Sequence, residues 1–266
     1  MELGLSTYSF PWTTELAIDK QVFFEELIDY TFQKNIRCFQ FGDNYPLHLL
    51  QPERFTQLIK AGTEKNIALQ AGTRRLEYDH IKKYIDIAKE IKSPFLRVVI
   101  DDADFHPAEK EVIEAIKKLL PYLQHNNIVL AIENHDRFSA RSLERIIKST
   151  STEYVGICLD TCNSIGAGEG IHELLPILLP YTVNLHVKDF NIERVKHKMG
   201  FTVTGTAAGD GMLNIPELLN ECSKYPSCKT ATLELWMEPE NENKSTIDKE
   251  KQWVEKSINY LKNYIQ

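Results

Sequence analysis

Residues 128–160 read IVLAIENHDRFSARSLERIIKSTSTEYVGICLD, and they contain an apolar run, a segment of helical period and a second apolar run. The first run ends at Glu133 and the second at Asp160, so the two acidic ends are 27 residues apart. This gap suits one strand–helix–strand repeat, because parallel strands need a long crossover that is usually a helix. The stretch therefore predicts two neighbouring parallel strands, each ending in a carboxylate.

The same alternation extends over the whole chain. Eight apolar runs precede segments of helical period, and they predict strands near Leu3–Ser6, Arg37–Phe41, Ile67–Ala71, Phe95–Ile100, Ile128–Glu133, Val155–Asp160, Val183–Val187 and Thr230–Leu235. Eight such units predict an α/β protein, a (β/α)8 TIM barrel in a single domain over residues 1–266, since closure removes both sheet edges. A doubly wound open sheet is the alternative, but the first predicted strand runs into STYSFP (residues 6–11) instead of a glycine-rich phosphate loop.

The composition is that of an ordinary globular protein, with 42% hydrophobic and 26% charged residues. A formal net charge of -7 argues against a broad phosphate-tracking surface, so we expect no nucleic-acid partner. The N-terminus lacks the pattern of a signal peptide and no apolar run reaches 18 residues, so we expect a cytoplasmic protein with no membrane partner. The five cysteines include no CxxC pair, which predicts neither a disulfide framework nor a zinc knuckle.

Four predicted strands carry a residue of metal-ligand type at their ends: Glu133, Asp160, His186 and Glu234. One such carboxylate is more often a turn cap or an ion-paired residue, but four at the carboxyl ends of barrel strands would meet at one mouth. Neighbours on the same strand faces, such as Ala131, are small or polar, which leaves room there. The set predicts a metal site, because a divalent cation would compensate the buried charge and polarity.

The four residues lie in the contexts A-I-E-N-H, C-L-D-T-C-N, L-H-V-K-D-F and L-E-L-W. In this order they resemble the xylose-isomerase-like TIM barrels, which include sugar phosphate isomerases and epimerases, and the resemblance covers essentially the whole chain. It implies that all four residues bind one divalent ion and that Glu133 and Glu234 also serve as acid and base. Three carboxylates and one imidazole form an oxygen-rich set, so Mn²⁺ or Mg²⁺ is favoured, with Co²⁺ or Zn²⁺ as alternatives.

Two departures from the family pattern narrow the expected activity. The endonuclease branch resembles a three-metal site with additional histidines, whereas this chain has Arg74 after the third predicted strand and Asn163 in its D-x-x-N motif. DNA repair is therefore not expected. Asn163 also replaces a histidine often found in ketohexose epimerases, which weighs against a simple 3-epimerase.

We expect a metal-dependent isomerase or epimerase that acts on a small-molecule carbohydrate: a sugar, a keto-sugar or a sugar acid. A bound divalent ion would polarise the carbonyl and stabilise the enediolate formed when a neighbouring proton is lost. Glu133 and Glu234 could then approach the substrate from different sides. The same enediolate arises when a 3-oxo sugar acid loses carbon dioxide, so a decarboxylase is the first alternative. A non-catalytic carbohydrate-binding barrel is the second.

Six polar residues are candidates for substrate binding: Asn44, Arg74, Arg97, His135, Lys188 and His197. Lys188 shares a strand face with His186, where it could bind a carboxylate or phosphate, assist proton transfer, or pair with an acid such as Asp189. Arg97 lies within an apolar run. It therefore needs an anionic partner, either a protein carboxylate such as Asp101 or Asp43 or an anionic substrate.

Residues 190–213 form an unusually long connection after the predicted strand that carries His186. Its four glycines permit tight turns, and the segment rises from the expected catalytic face. We expect a lid over the carboxyl-end face, with His197, Lys198 and Met199 as contacts to the substrate. An arm that reaches a partner subunit is the alternative, and it leaves a homo-oligomer open.

Overall fold

A computed structural model describes residues 1–17 and 24–265. Within these residues the strands are β1 (Glu2–Ser6), β2 (Cys38–Phe41), β3 (Ala68–Arg74), β4 (Phe95–Val99), β5 (Val129–Glu133), β6 (Val155–Asp160), β7 (Thr182–Val187), β8 (Asp189–Arg194), β9 (Phe201–Thr206) and β10 (Thr230–Leu233). Eight of them close into a parallel barrel in the order β1-β10-β7-β6-β5-β4-β3-β2. This confirms the predicted TIM barrel, and the closed sheet excludes the doubly wound alternative.

Helices follow the barrel strands and surround them. They are α1 (Pro11–Leu16), α2 (Phe24–Gln33), α3 (Pro52–Glu64), α4 (Tyr78–Glu90), α5 (Glu109–Asn126), α6 (Ala140–Thr150), α7 (Ile171–Leu178), α8 (Ile215–Ser223) and α9 (Asn243–Leu261). Among the residues described, none of these helices is long and apolar enough to cross a membrane.

The main core lies between the strands and the helices. Helix α6 illustrates its origin: Leu143, Ile146 and Ile147 recur at helical spacing and are fully buried. They face outward-pointing strand residues such as Leu130 and Ile132, which are also fully buried. Burial of each such side chain contributes about 1.5–3 kcal/mol, so this layer fixes the strands and hence the residues at their ends.

Strand register brings the predicted ligands to one level of the barrel. Asp160 of β6 lies opposite His186 of β7, and Thr232 of β10 lies opposite His186 on the other side. Strand β10 ends at Leu233, two residues earlier than predicted, so Glu234 lies just beyond the last paired residue. The carboxyl ends of these neighbouring strands therefore present their side chains to a common centre.

The segment predicted as a long loop, residues 190–213, contains regular structure instead. Strands β8 and β9 pair as an antiparallel hairpin, with Asp189 opposite Thr206 and Arg194 opposite Phe201. The reason is readable in the β9 sequence FTVTGT, where threonine and valine favour the extended conformation. We call residues 189–206 the hairpin.

Candidate metal centre and cavity

Four acidic and imidazole side chains converge at the carboxyl end of the barrel. Nδ1 of His186 lies 3.3 Å from Glu133 Oε2, 3.3 Å from Glu234 Oε1 and 3.9 Å from Asp160 Oδ2. All four residues are at most 2% exposed. These four residues therefore lie together at one end of the barrel, as the sequence predicted.

A glutamine beneath the centre sets the orientation of His186. The amide group of Gln40 donates to Gln70 Oε1 at 3.1 Å and to Asn184 Oδ1 at 3.2 Å, which directs its oxygen towards the imidazole. Nε2 of His186 lies 2.7 Å from that oxygen and so donates to it. The other ring nitrogen, Nδ1, then presents a lone pair to the carboxylates.

This arrangement fits a divalent cation. His186 Nδ1 is buried and has no hydrogen-bond partner among the described residues, and Asp160 Oδ2 and Glu234 Oε2 receive no aligned hydrogen bond. A lone pair that faces three carboxylates is repulsive unless a positive charge lies between them. Ligands about 2.0–2.2 Å from one ion lie about 3–3.5 Å apart, close to the two 3.3 Å separations.

Lys188 supplies a fixed positive charge on one side of the centre. Its Nζ lies 2.8 Å from Asp160 Oδ2 and 2.9 Å from Glu234 Oε2, and its side chain is 12% exposed. Burial acts to lower the pKa of Lys188, but the carboxylates, Asp160 first, outweigh it and raise that pKa well above its usual value. The predicted alternative pairing with Asp189 is not made, because Asp189 is turned towards backbone N–H groups instead.

Arg97 supplies a second fixed positive charge. It donates from Nε to Glu133 Oε2 and from Nη1 to Asp43 Oδ1 at 2.7 Å. Its anionic partners are therefore two protein carboxylates, of which Asp43 was among the predicted options. Burial acts to raise the pKa of Glu133, but Arg97 first and also Lys188 outweigh it and lower that pKa well below its usual value. With Asp43 and Arg74 included, four carboxylates face three cations, so the group carries a net negative charge that a bound cation would offset.

Cys158 is a further candidate ligand, since its sulfur groups with Glu133 and His186. Burial raises the pKa of this thiol well above its usual value. Its sulfur lies 3.1 Å from Asn184 Oδ1, to which it donates. Because the thiolate is the metal-binding form, a thiol held protonated in this way is a poor ligand compared with the three carboxylates.

A cavity of about 630 Å³ opens above the centre. Among the predicted substrate residues, Arg74, Arg97, His135 and Lys188 line it. Asn44 instead bonds to Thr7, accepting from its hydroxyl at 2.6 Å and donating to its carbonyl oxygen at 3.1 Å. His197 is exposed near the hairpin tip, where its Nδ1 accepts from Met199 N at 3.3 Å, and it does not line the cavity.

Several residues around the centre did not figure among the predicted site residues. Tyr8, Trp12 and Trp236 line the cavity, and Asn163 Nδ2 donates to Glu133 Oε1 at 2.7 Å. The sequence signal for Gln40 was a lone glutamine inside the short buried strand C-F-Q-F. Trp236 follows the end of β10 and Trp12 lies in α1, but indole rings are equally common in cores, so these sequence positions alone do not indicate a site.

Comparison with known proteins gives consistent matches. The family model described as xylose isomerase-like TIM barrel matches residues 38–264. A 3-oxo-isoapionate decarboxylase of Pectobacterium atrosepticum is 28% identical over 261 residues, which cover 98% of this chain and 95% of that protein.

Two solved structures illustrate the shared fold. D-psicose 3-epimerase with D-tagatose from Clostridium cellulolyticum H10 superposes with a TM-score of 0.75 at 12% identity, over 100% of this chain and 99% of that one. A xylose isomerase-like TIM barrel protein from Mycobacterium smegmatis in complex with magnesium superposes with a TM-score of 0.71 at 13% identity, over 98% of this chain and 97% of that one. At these identities the two likenesses establish the fold.

Proposed function

Because the chain belongs to the xylose isomerase-like TIM barrel family, we propose that it is a metal-dependent lyase that decarboxylates a 3-oxo sugar acid. This places the first alternative from the sequence ahead of the isomerase or epimerase. The divalent ion would be held by Glu133, Asp160, His186 and Glu234. Lys188, Arg74 and His135 would bind the substrate.

The state of Glu133 is the observation that carries this choice. Its Oε1 accepts from Asn163 and its Oε2 from Arg97, so both oxygens are engaged. Epimerisation by two bases requires two carboxylates that can gain and lose a proton. Decarboxylation requires one proton donor, and the relative named 3-oxo-isoapionate decarboxylase, which matches over nearly the whole chain, supports the same choice.

In the proposed reaction, the bond between the carboxylate carbon and its neighbour breaks and carbon dioxide leaves. The electron pair of that bond stays on the substrate and is delocalised onto the adjacent ketone. A divalent ion bound at the centre would supply Lewis-acid chemistry at the ketone oxygen. A cation held by Asp160 and Glu234 would offset the negative charge that keeps the proton on Lys188. Lys188 then gives a proton to the carbon that lost the carboxylate, and solvent restores the proton to its amine.

Positive charge around the cavity suits an anionic substrate. Arg74 is at the rim, and its Nε is buried without a hydrogen-bond partner among the described residues, 3.6 Å from Asp43 Oδ2. The side chain as a whole is 39% exposed, so its terminal N–H groups are open to a substrate carboxylate. His135 also lines the cavity, and its Nδ1 lies 3.0 Å from Asp136 Oδ2, which orients the ring.

The test is a substrate screen with defined metal loading. Purified protein is stripped with chelator, reloaded separately with Mn²⁺, Mg²⁺, Co²⁺ or Zn²⁺, and mixed with 3-oxo sugar acids and with keto-sugars. We expect carbon dioxide from at least one 3-oxo acid, only after metal loading. Interconversion of keto-sugars without any carbon dioxide from the acids would contradict the proposal.

Isomerisation or epimerisation of a keto-sugar is the second candidate. It is favoured by one observation: Glu133 and Glu234 lie at the same distance, 3.3 Å, from His186 Nδ1, as an acid and base around one centre would. This candidate predicts that Glu133→Gln and Glu234→Gln each lower keto-sugar turnover about 10²- to 10⁴-fold with metal still bound.

A further inference from the structure

Asp189 is a buried carboxylate with an unusual set of partners. It is 2% exposed, directly follows Lys188, and begins the hairpin. Its Oδ1 accepts from the backbone N–H of Phe190 at 2.9 Å and of Leu213 at 3.1 Å. Its Oδ2 accepts from the backbone N–H of Gly209 at 2.9 Å and of Gly211 at 3.0 Å. The carboxylate thus ties both ends of the hairpin region together.

The backbone around this carboxylate is packed too closely to admit a side chain at two glycines. A Cβ added at Gly211 would lie 2.1 Å from Asp189 Oδ1, and one added at Gly205 would lie 1.9 Å from the carbonyl oxygen of Trp236. The turn that follows β9 is also bonded to helix α9, since Ala208 N donates to Ser257 Oγ at 2.9 Å. The hairpin base is therefore packed backbone against backbone.

We propose that Asp189 is a positioning residue that fixes the hairpin base to the end of β7, so that the hairpin is a stationary wall of the cavity. Val203 of β9 lines the cavity, and Gly205 holds the hairpin against Trp236, another cavity residue. A carboxylate is required because four N–H donors converge on two oxygens, and charge-assisted hydrogen bonds are the stronger ones. This inference goes beyond the proposed function; only its kinetic readout depends on that function.

Asp189→Asn is the first variant, because it keeps the size of the side chain and turns one acceptor oxygen into an NH₂ group that faces N–H donors. Asp210→Asn is the matched control in the same turn. Asp210 is more exposed and pairs with Lys256 at 2.5 Å. Gly205→Ala is the second variant, since it displaces the hairpin from Trp236 without altering Asp189.

Hydrogen exchange measures the effect without any substrate. In Asp189→Asn the amides of β8 and β9 should exchange about tenfold faster or more while those of the barrel strands stay protected. Metal content should equal that of the parent, and Asp210→Asn should match the parent throughout. Should Asp189→Asn fail to fold, Gly211→Ala takes its place, because its Cβ would lie 2.1 Å from Asp189 Oδ1 and displace the carboxylate from its N–H donors.

Kinetics with the 3-oxo acid that the protein decarboxylates separate a positioning role from a general loss of stability. A displaced wall should raise KM about tenfold or more with a smaller effect on kcat, because lost contacts to the wall weaken the binding of the substrate and of the transition state alike. Unchanged exchange of β8 and β9 in both variants would overturn the proposal, as would protection lost equally across the whole barrel. If no acid is decarboxylated, the proposed function fails, whereas exchange and metal content still decide this inference.

Discussion

Arg97 donates a hydrogen bond from its Nε to Oε2 of Glu133 inside the barrel, where the two side chains are 4% and 0% exposed. Burial acts to lower the pKa of Arg97, but Glu133 and Asp43 outweigh it and raise that pKa well above its usual value. The pair therefore stays ionised. Glu133 is in this way kept in the ionised form that the proposed metal ion would need, and it is poorly suited to exchange a proton.

Replacing this arginine should be costly for the fold. Arg97→Met leaves Glu133 and Asp43 without their buried partner, and removal of one member of such a pair costs about 3–5 kcal/mol. Arg97→Lys keeps the charge but not the fork that reaches both carboxylates, so its loss should be smaller. Urea denaturation of the metal-free proteins measures both. A change below about 0.5 kcal/mol in Arg97→Met would contradict this account.

Asp43 should make stability depend on acid pH. Burial acts to raise the pKa of Asp43, but Arg97 and Arg74 outweigh it and the net shift is downward. An acid whose folded pKa is lowered stabilises the fold above its unfolded pKa of about 3.9, and that contribution is lost as pH falls through the folded value. Asp43→Asn should therefore be less stable by about 1–3 kcal/mol at neutral pH, with the difference shrinking below about pH 4.

The check on Asp43 is denaturation at several pH values in metal-free buffer. Asp210→Asn serves as the comparison, since that carboxylate lies on the surface and pairs with Lys256. A stability difference between Asp43→Asn and the parent that stays constant from neutral to strongly acidic pH would show that charge on Asp43 is not the cause.

Variants of Gln40 and Cys158 test whether His186 binds the metal and whether the Cys158 sulfur does. Gln40→Leu removes the acceptor for His186 Nε2, and loss of such an outer partner costs about 10- to 100-fold in metal affinity. Cys158→Ala removes a thiol that we do not count as a ligand, so its metal affinity should match the parent. Titration calorimetry with Mn²⁺ measures both. Loss of binding in Cys158→Ala would mean that the sulfur is a ligand after all.

Lys188 should control where the product receives its proton. Lys188→Met keeps an unbranched side chain but removes the ammonium group and its transferable proton. Turnover should therefore fall about 10²- to 10⁴-fold with the metal still bound. In deuterated water the residual product should be a mixture in which the single deuterium was added from either face of the carbon, because solvent replaces a positioned donor. Lys188→Arg, which keeps a cation there, is the comparison. Full turnover and one-sided labelling in Lys188→Met would exclude the lysine as donor.

The sequence predicted the barrel, and it predicted that the four candidate ligands lie together, for a clear physical reason. Strand ends such as Glu133 and Asp160 have fixed positions once closure and register are assumed, so spacing along the chain is enough. Contacts between loops carry no such period. The hairpin, and the four N–H groups that Asp189 binds, depend on backbone geometry after β7 that glycine spacing does not specify. Asn44 was predicted from its place at a strand end and His197 from its place in the expected lid, and neither residue lines the cavity.

Release of labelled carbon dioxide tests the central claim most directly. Protein loaded with Mn²⁺ is mixed in deuterated water with a 3-oxo sugar acid that carries ¹³C in its carboxylate, and both products are followed by NMR. The account predicts ¹³CO₂ together with one deuterium at the carbon that lost the carboxylate, and neither product after treatment with chelator. The account is contradicted if the ¹³C carboxylate is retained and if, in a parallel reaction with a keto-sugar as substrate, deuterium is incorporated from the solvent. That result would identify an isomerase or epimerase.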